Sequence, residues 1–512
     1  MLLQLQFLLL ILIPLLSLLF FFFFNSNSNS NSKIPKSYPL VGSFFALLAN
    51  RNRLLPWLTG IIQDSPSATF VLRQSFATGH VISGNPAVVQ HILMTNFNNY
   101  GKGEDSRRTV YDLLGQGIFN VDGESWKFQR QIAMQEFNTK SLRKFVETVI
   151  DTEVSQRLIP TLTSAAEHGT VLDFQDILQR FTFDNICNIA FGFDPAYLLP
   201  SLPQTELDLA FENGIKCSSE RGSALFPGVW KIKKLLNIGS EKRLKIAISD
   251  IRGFAMTIIK EKKQELREKE SLDSVDLLSR LLNSGHLDEN FVIDFVISFM
   301  LAGRDTSSAA LTWFFWVLSK NPEIESEILR EIKEKSEGPV YDEVKDMVYT
   351  HASLCESMRL YPPVALDGKE AVNDDVLPDG TEVMKGMKVS YFPYAMGRLE
   401  KLWGSDWAEF KPERWLQKEE ENSNSKSSWR FVGRDSYTYP VFQAGPRICL
   451  GKEMAFLQMK SVVAGVLRRF KVVPAFEQGV PEPEYDSFLS KMKGGFPVKI
   501  AERERDHLHS EN

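Results

Sequence analysis

The chain has 512 residues, which fits a few ordinary domains or one large fold and excludes a small disulfide scaffold. Against 64 Asp and Glu stand 59 Lys and Arg, a formal charge of −5, so the basic excess that marks nucleic-acid binders is missing. Hydrophobic residues at 43% and charged residues at 24% exclude wholesale disorder, and 37 Phe against 12 Tyr point to extra rigid apolar surface.

Met1 to Phe24 carries no charge and is dominated by Leu, Ile and Phe, which predicts a membrane-spanning helix of about 20 residues. Pro14 is tolerated in such a helix, and neither a basic leading region nor a small-residue cleavage site argues for a cleaved signal. The charges that follow, Lys33, Lys36, Arg51 and Arg53, are basic and predict a body on the cytosolic side. Asn25 to Ser32 alternates Asn and Ser and reads as a flexible spacer, leaving 33–512 as the globular body. Two prolines and a glycine in Ile34–Gly42 make a stiff entry.

Short strands are expected at Ala68–Leu72 and His80–Ser83, and helical spacing dominates from there to about Lys335. The fold class is therefore mostly α with a smaller β-rich part. Trp126 and Arg130 lie four apart, so an indole N–H and a guanidinium share one helix face. That pair suits a carboxylate, with simple packing as the plainer alternative. Phe291 to Leu318 is apolar nearly all round, which predicts a long central buried helix ended by Asn321-Pro322. Within it, Ala302-Gly303-Arg304-Asp305-Thr306-Ser307 interrupts the apolar run. Glycine there costs about 1 kcal/mol against alanine, and a hydroxyl can bond back to the helix and widen the turn. Such a violation points to function or to a Ser/Thr kink.

Helices are predicted from Pro322 to about Glu337 and from about Asp342 to Leu360, where Tyr361-Pro362-Pro363 ends the second. Glu356 and Arg359 sit one turn apart in it, a spacing that by itself describes a surface pair worth a fraction of a kcal/mol. Strand-like pieces with Gly/Asp turns follow from Val364 to Val389, and Lys418 to Ser428 reads as a polar surface loop. Phe442-Gln-Ala-Gly445-Pro-Arg447-Ile-Cys449-Leu-Gly451 then brackets a cysteine with glycines just before a helical stretch. A thiolate on haem iron needs backbone donors for its sulfur, close approach to a flat macrocycle and a cation for a propionate. A buried small residue is the alternative. Cys187, Cys217 and Cys355 form no CxxC pair and read as packing residues, and no pair of the seven histidines has metal-ligand spacing.

Phe442–Gly451 resembles the haem-binding motif of the cytochrome P450 superfamily at every defining position. Three further motifs occur in order: WxxxR at Trp126 and Arg130, ExxR at Glu356 and Arg359, and Pro412-Glu413-Arg414-Trp415, with Trp where the family has Phe. The resemblance implies a P450 fold with haem b (iron protoporphyrin IX) ligated axially by Cys449 and held at its propionates by Trp126, Arg130 and Arg447. It further implies a core lock of Glu356, Arg359 and Arg414, and an acid–alcohol pair, Asp305 and Thr306, relaying protons to dioxygen, the co-substrate. Ser307 replaces the family's usual second Thr. Phe119–Glu124, Asp173–Gly192, Ala310–Trp316 and Lys369–Asp375 are similar to plant members of family 94, in the clan of fatty-acid ω-hydroxylases. That implies oxidation of a long-chain fatty acid at or near its terminal methyl, with electrons from NADPH through a P450 reductase at the endoplasmic reticulum membrane. Phe119, Asn120, Val364, Ala365 and Leu366 would line the substrate side, although Val364–Asp367 lacks the proline expected of the family. Lys127, Arg447, Lys452 and Lys460 are candidates for a reductase-facing basic surface. Relatives that oxidise jasmonoyl-amino acid conjugates supply the main alternative. A P450-fold isomerase or dehydratase and a non-catalytic lipid binder are the others.

Overall fold

The apolar run read as a central helix forms one element, Glu289–Leu318, of 30 residues. In the computed structural model the described residues are 34–503 apart from 39–40, 74–78, 136–142, 200–205, 223–227, 269–275, 286, 336–339, 419–428, 477–484 and 486–488. The expected membrane segment, the Asn/Ser spacer and nearly all of the polar insert lie outside them. Among the described residues no helix is long and apolar enough to cross a membrane. The central helix starts two residues earlier than the apolar pattern because the Asp288 side chain accepts the Phe291 N–H at 3.2 Å. At 1.5 Å per residue it runs about 45 Å.

Against it packs the helix Phe174–Phe191, itself nearly all buried. Their contact explains Gly303, where an added Cβ would come within 2.4 Å of Ile186. The glycine that local propensity disfavours is what lets two buried helices approach. The phenylalanine excess is spent here too: Phe174, Phe181, Phe183, Phe295, Phe314 and Phe315 are fully buried, with Phe174 and Phe315 edge to face at 5.1 Å.

The segment read as one helix from Asp342 to Leu360 is two, Val340–Lys345 and Val348–Leu360. Glu331, on the helix Pro322–Lys335, accepts the backbone N–H of Tyr349 at 2.7 Å and of Thr350 at 2.8 Å, and the Thr350 hydroxyl at 2.7 Å. A carboxylate on a neighbouring helix thus satisfies the first turn and favours the dipole end, fixing a new start.

The β-rich part is mainly a five-stranded sheet in the order Thr69–Arg73, Gly79–Ser83, Lys388–Tyr391, Asp367–Ala371, Tyr100–Gly101. Only Gly79–Ser83 with Lys388–Tyr391 is parallel, Val81 standing opposite Val389. The two expected N-terminal strands are present, the first shifted by one residue and the second starting one residue earlier. A three-stranded sheet joins Phe470–Pro474, Pro497–Glu502 and Leu172–Asp173.

One buried ionic group sets a pH dependence. Arg157 donates to Glu153 at 2.6 Å and to Asp194 at 2.9 Å, while Asp184 accepts the N–H groups of Tyr197 and Leu198. Oε2 of Glu153 has no partner among the described residues. Burial first, then the Asp184 charge, pushes the Glu153 carboxyl up to about 8. A carboxyl raised in the fold contributes stability below its unfolded pKa and loses it as pH rises through the folded value. The denaturant midpoint is therefore expected to fall between pH values below about 5 and above about 8. Glu153→Gln, a neutral isostere, should flatten that slope, and an unchanged slope would contradict the assignment.

Candidate active site

Cys449 ends a tight loop that precedes the helix Lys452–Arg469. Its N–H donates to the Phe442 carbonyl at 2.8 Å and the Ile448 N–H to the Gly445 carbonyl at 3.1 Å, which folds the segment back on itself. Gly445 has φ +62°, and a Cβ there would lie 2.1 Å from the Leu93 carbonyl oxygen, so no other residue fits. Gln443 also has a positive φ, +63°, and its side-chain amide donates to Asp367.

The Cys449 side chain is exposed, but to an internal cavity of about 370 Å³. Burial raises its thiol pKa, while the Gly451 N–H and the charges of Arg130 and Lys452 act in the opposite direction. Left alone, the sulfur keeps its proton at neutral pH; a metal ion displaces it. Facing it across the cavity are Ala302, Gly303, Thr306, Ser307 and Ala310 of the central helix.

One end of the cavity is cationic. Trp126 is buried between two guanidinium groups, Arg447 at 4.5 Å and Arg130 at 5.8 Å from its ring centre. Arg130 donates to the Ile448 carbonyl at 2.9 Å, and Arg447 to the Val121 carbonyl at 2.9 Å and to Asp122. Lys102, Lys369 and Arg107 complete a cluster of five bases, in which Asp122 and Asp367 are the acids among the described residues. Lys369 is buried, its ammonium has no hydrogen-bond partner among the described residues, and burial first, then Lys102, lowers its pKa to about 7. A mainly apolar cavity lined by the Cys449 thiol, with surplus positive charge beside it, fits a haem carrying two propionates. Lys102, Trp126, Arg130 and Arg447 would hold that edge. Lys102 and Lys369 escaped the motif reading; the one signal was a lysine at an inward position of a half-buried strand.

Thr306 lines the cavity and its hydroxyl donates to the Ala302 carbonyl at 2.7 Å, yet the helix continues unbroken. Asp305 lies on another face. Its Oδ1 accepts from Arg304 at 2.8 Å and Gln179 at 3.4 Å, and its Oδ2 has no partner among the described residues. It lines a separate polar cavity of about 290 Å³ with Glu212 and Lys491. Adjacent residues on a helix are about 100° apart, so acid and alcohol here open onto different spaces.

Glu356, Arg359 and Arg414 meet behind the cysteine loop. Glu356 accepts from Arg359 at 2.8 and 2.7 Å, from Arg414 Nε at 3.1 Å, from the Lys411 N–H at 3.1 Å and from the Trp415 indole at 2.9 Å. Arg359 also donates to the carbonyls of Gly397, Trp407 and Glu409. Tryptophan in the family's phenylalanine position thus adds a donor to a buried carboxylate. Trp415→Phe is expected to cost about 1.5–3 kcal/mol, the range for hydrogen bonds to charged groups, read as a lower thermal midpoint of the haem-loaded protein.

Of the expected substrate-side residues, Phe119 and Val364 line the cavity. Asn120 is buried beside it, its amide donating to the Gly115 carbonyl at 2.9 Å, so it shapes the loop. Ala365 and Leu366 pack with Leu58, Phe70 and Phe392 under the sheet. The proposed reductase-facing set also divides. Lys127 is exposed, but Lys460 is buried with its ammonium on the Lys345 carbonyl at 2.9 Å, and Arg447 is buried at the cavity edge, so neither can offer a docking charge.

This architecture and its thiol-lined cavity define a haem-thiolate monooxygenase. The cytochrome P450 family model matches residues 34–498. Cytochrome P450 94A2 of Vicia sativa is 62% identical over 474 residues, covering 92% of this chain and 91% of that protein. Cytochrome P450 94B1 of Arabidopsis thaliana is 48% identical, with 92% of each chain covered. Cytochrome P450 86B1 of the same plant is 39% identical over 490 residues, covering 91% of this chain and 85% of that protein. The chain belongs to the cytochrome P450 family, within its plant family 94.

Proposed function

We propose that this monooxygenase hydroxylates long-chain fatty acids at or near the terminal methyl carbon, at the endoplasmic reticulum membrane, with its body in the cytosol and electrons drawn from NADPH through a P450 reductase. The observation that carries the reading is the wall facing Cys449. Beside the hydroxyls of Thr306 and Ser307, the lining there is mainly apolar: Ile118, Phe119, Phe299, Ala302, Ala310 and Val364 offer a substrate area and no charge. An alkyl chain has only area to give, at about 0.8 kcal/mol per buried CH₂. When bound, the haem supplies the redox chemistry that activates dioxygen.

The chain's own residues do the rest. The walls fix which carbon approaches, which matters because a terminal methyl has the least reactive C–H bonds of the chain. Thr306 holds a hydroxyl at the cavity surface, and Asp305 holds a carboxylate on the polar side of the same helix turn. A turn of the Asp305 side chain away from Arg304 would bring a proton from the polar cavity toward Thr306.

The test is turnover by the full chain with a plant P450 reductase and NADPH, using a fatty-acid panel and jasmonoyl-isoleucine, with products located by mass spectrometry. Terminal hydroxy acids are expected. Oxidised conjugate with little fatty-acid product would move the enzyme to hormone-conjugate oxidation. NADPH-independent rearrangement of oxygenated lipids would make it an isomerase.

A further inference from the structure

One more charge interrupts the central helix, and it lines neither cavity. Asp294 is buried, and its Oδ1 pairs at 2.6 Å with Arg252 on the helix Gly239–Glu268. Its other oxygen, Oδ2, leaves the helix and accepts the backbone N–H of Gln116 at 2.8 Å. With an ion pair on one oxygen and a donor on the other, the buried carboxylate is satisfied. The carbonyl of Gln116 accepts in turn from the Gln129 amide at 2.9 Å. Gln129 is fully buried on the helix Gly123–Met134, which also carries Trp126 and Arg130. Gln116 is thus held through both its N–H and its carbonyl, between the central helix and the helix at the cationic edge of the cavity.

Two glycines permit this approach. Gly115 takes φ +47°, and an added Cβ would clash with the Asp294 carboxylate. At Gly117 a Cβ would clash with the Ser298 hydroxyl and stand 2.7 Å from the Asp294 carbonyl oxygen. Asn120 closes the loop, its amide donating to the Gly115 carbonyl at 2.9 Å and its N–H to the Gly117 carbonyl at 2.8 Å. Inside this clasp lie Ile118 and Phe119, both on the cavity wall. Phe119 is 44% exposed, so packing does little to fix its ring and the backbone that carries it does the rest.

The geometry points to Asp294 as the positioning residue of this wall: through Gln116 it holds Phe119 where the cavity admits an unbranched alkyl end and turns away a bulky one. The inference deepens the substrate reading and rests on it for the carbon that is oxidised. Asp294 touches no substrate and acts through the loop. A wall held in place limits approach to the end of a chain, whereas a loosened one lets inner carbons, with their more reactive C–H bonds, come forward.

The test follows the optical shift as neutral alkylimidazoles bind the full, haem-loaded chain, comparing linear 1-octylimidazole with bulky 1-(1-adamantyl)imidazole. Neither probe is a fatty acid. The unsubstituted chain is expected to prefer the linear probe by about tenfold or more, within the range a shaped apolar pocket achieves. Asp294→Ala and Phe119→Ala should each lower that preference at least about threefold, and the double variant should lower it no further, since one residue acts through the other. Asp294→Asn keeps an acceptor for the Gln116 N–H and should retain most of the preference. Gly117→Ala pushes the loop off the helix with the ion pair in place and should lose it, even where Asp294→Ala is too unstable to load with haem. With fatty acids, the share of terminal product should fall in the same variants. An unchanged preference in Asp294→Ala or Gly117→Ala would overturn the proposal, as would losses that add in the double variant. Refusal of fatty acids by the unsubstituted chain, with the probe preferences as expected, would remove the substrate reading and leave Asp294 in its role.

Discussion

Glu356→Gln is expected to yield a chain that accumulates poorly and holds little haem. The side chain is fully buried and accepts from two arginines, a backbone N–H and an indole. Glutamine keeps the shape but removes the charge, and its amide turns an acceptor into a donor facing donors. Arg359, also fully buried, then has no carboxylate. Removing one partner of a buried ion pair costs about 3–5 kcal/mol, a large share of a typical 5–15 kcal/mol stability. Because Arg359 also holds the Gly397, Trp407 and Glu409 carbonyls, the damage should spread behind the cysteine loop. The haem-to-protein ratio and thermal midpoint of the purified variant test this. A variant with near-normal values for both would show that the other hydrogen bonds suffice.

Cys449→Ser should behave in the opposite way, folding nearly normally but losing all monooxygenase turnover and the thiolate-type carbonyl spectrum. The loop is closed by backbone bonds from Cys449 and Ile448 that the substitution leaves in place. Serine is much less acidic than a thiol and gives iron no comparable ligand. The native thiol adds a pH signature. Since burial raises its pKa, the haem-free protein keeps the proton and haem binding must release it. Haem affinity should therefore rise about tenfold per pH unit below the thiol pKa, with one proton released per site, and lose that dependence in Cys449→Ser. Persistence of the slope in the variant would assign it to another group.

Reading from sequence worked where a feature is local or carries its own pattern. The all-round apolarity of Phe291–Leu318 marks burial, and the bracketed cysteine marks a loop before a helix. It failed where the cause is a distant residue. Glu331 divides a helix eighteen positions away in the chain, an event with no trace in the divided segment. Gly303 has a packing reason, Ile186 across the helix contact, that nothing in its neighbourhood announces. Asp305 and Thr306 are adjacent in sequence, yet one opens onto a polar cavity and the other onto the cysteine's cavity. Lys460 was read as a surface charge, but the helix that carries it presents that face to the core. The positive charge at the cavity edge is equally non-local, since Lys369 lies in one strand and Lys102 just beyond the end of its neighbour, and those strands meet only in the folded sheet.

The five-stranded sheet also sets a timetable for synthesis. His80 and Ser390, 310 positions apart in the chain, are joined at 2.8 Å across its parallel seam. At about 5–20 residues per second, the first two strands leave the ribosome roughly 15–60 s before their partner exists. Through that interval a hairpin with an unpaired hydrophobic edge must stay unaggregated, and haem cannot be gripped until the cysteine loop, later still, has emerged. Newly made chain should therefore engage chaperones until translation is nearly complete, and slowing translation between the two halves of the sheet should lower the yield of haem-loaded protein.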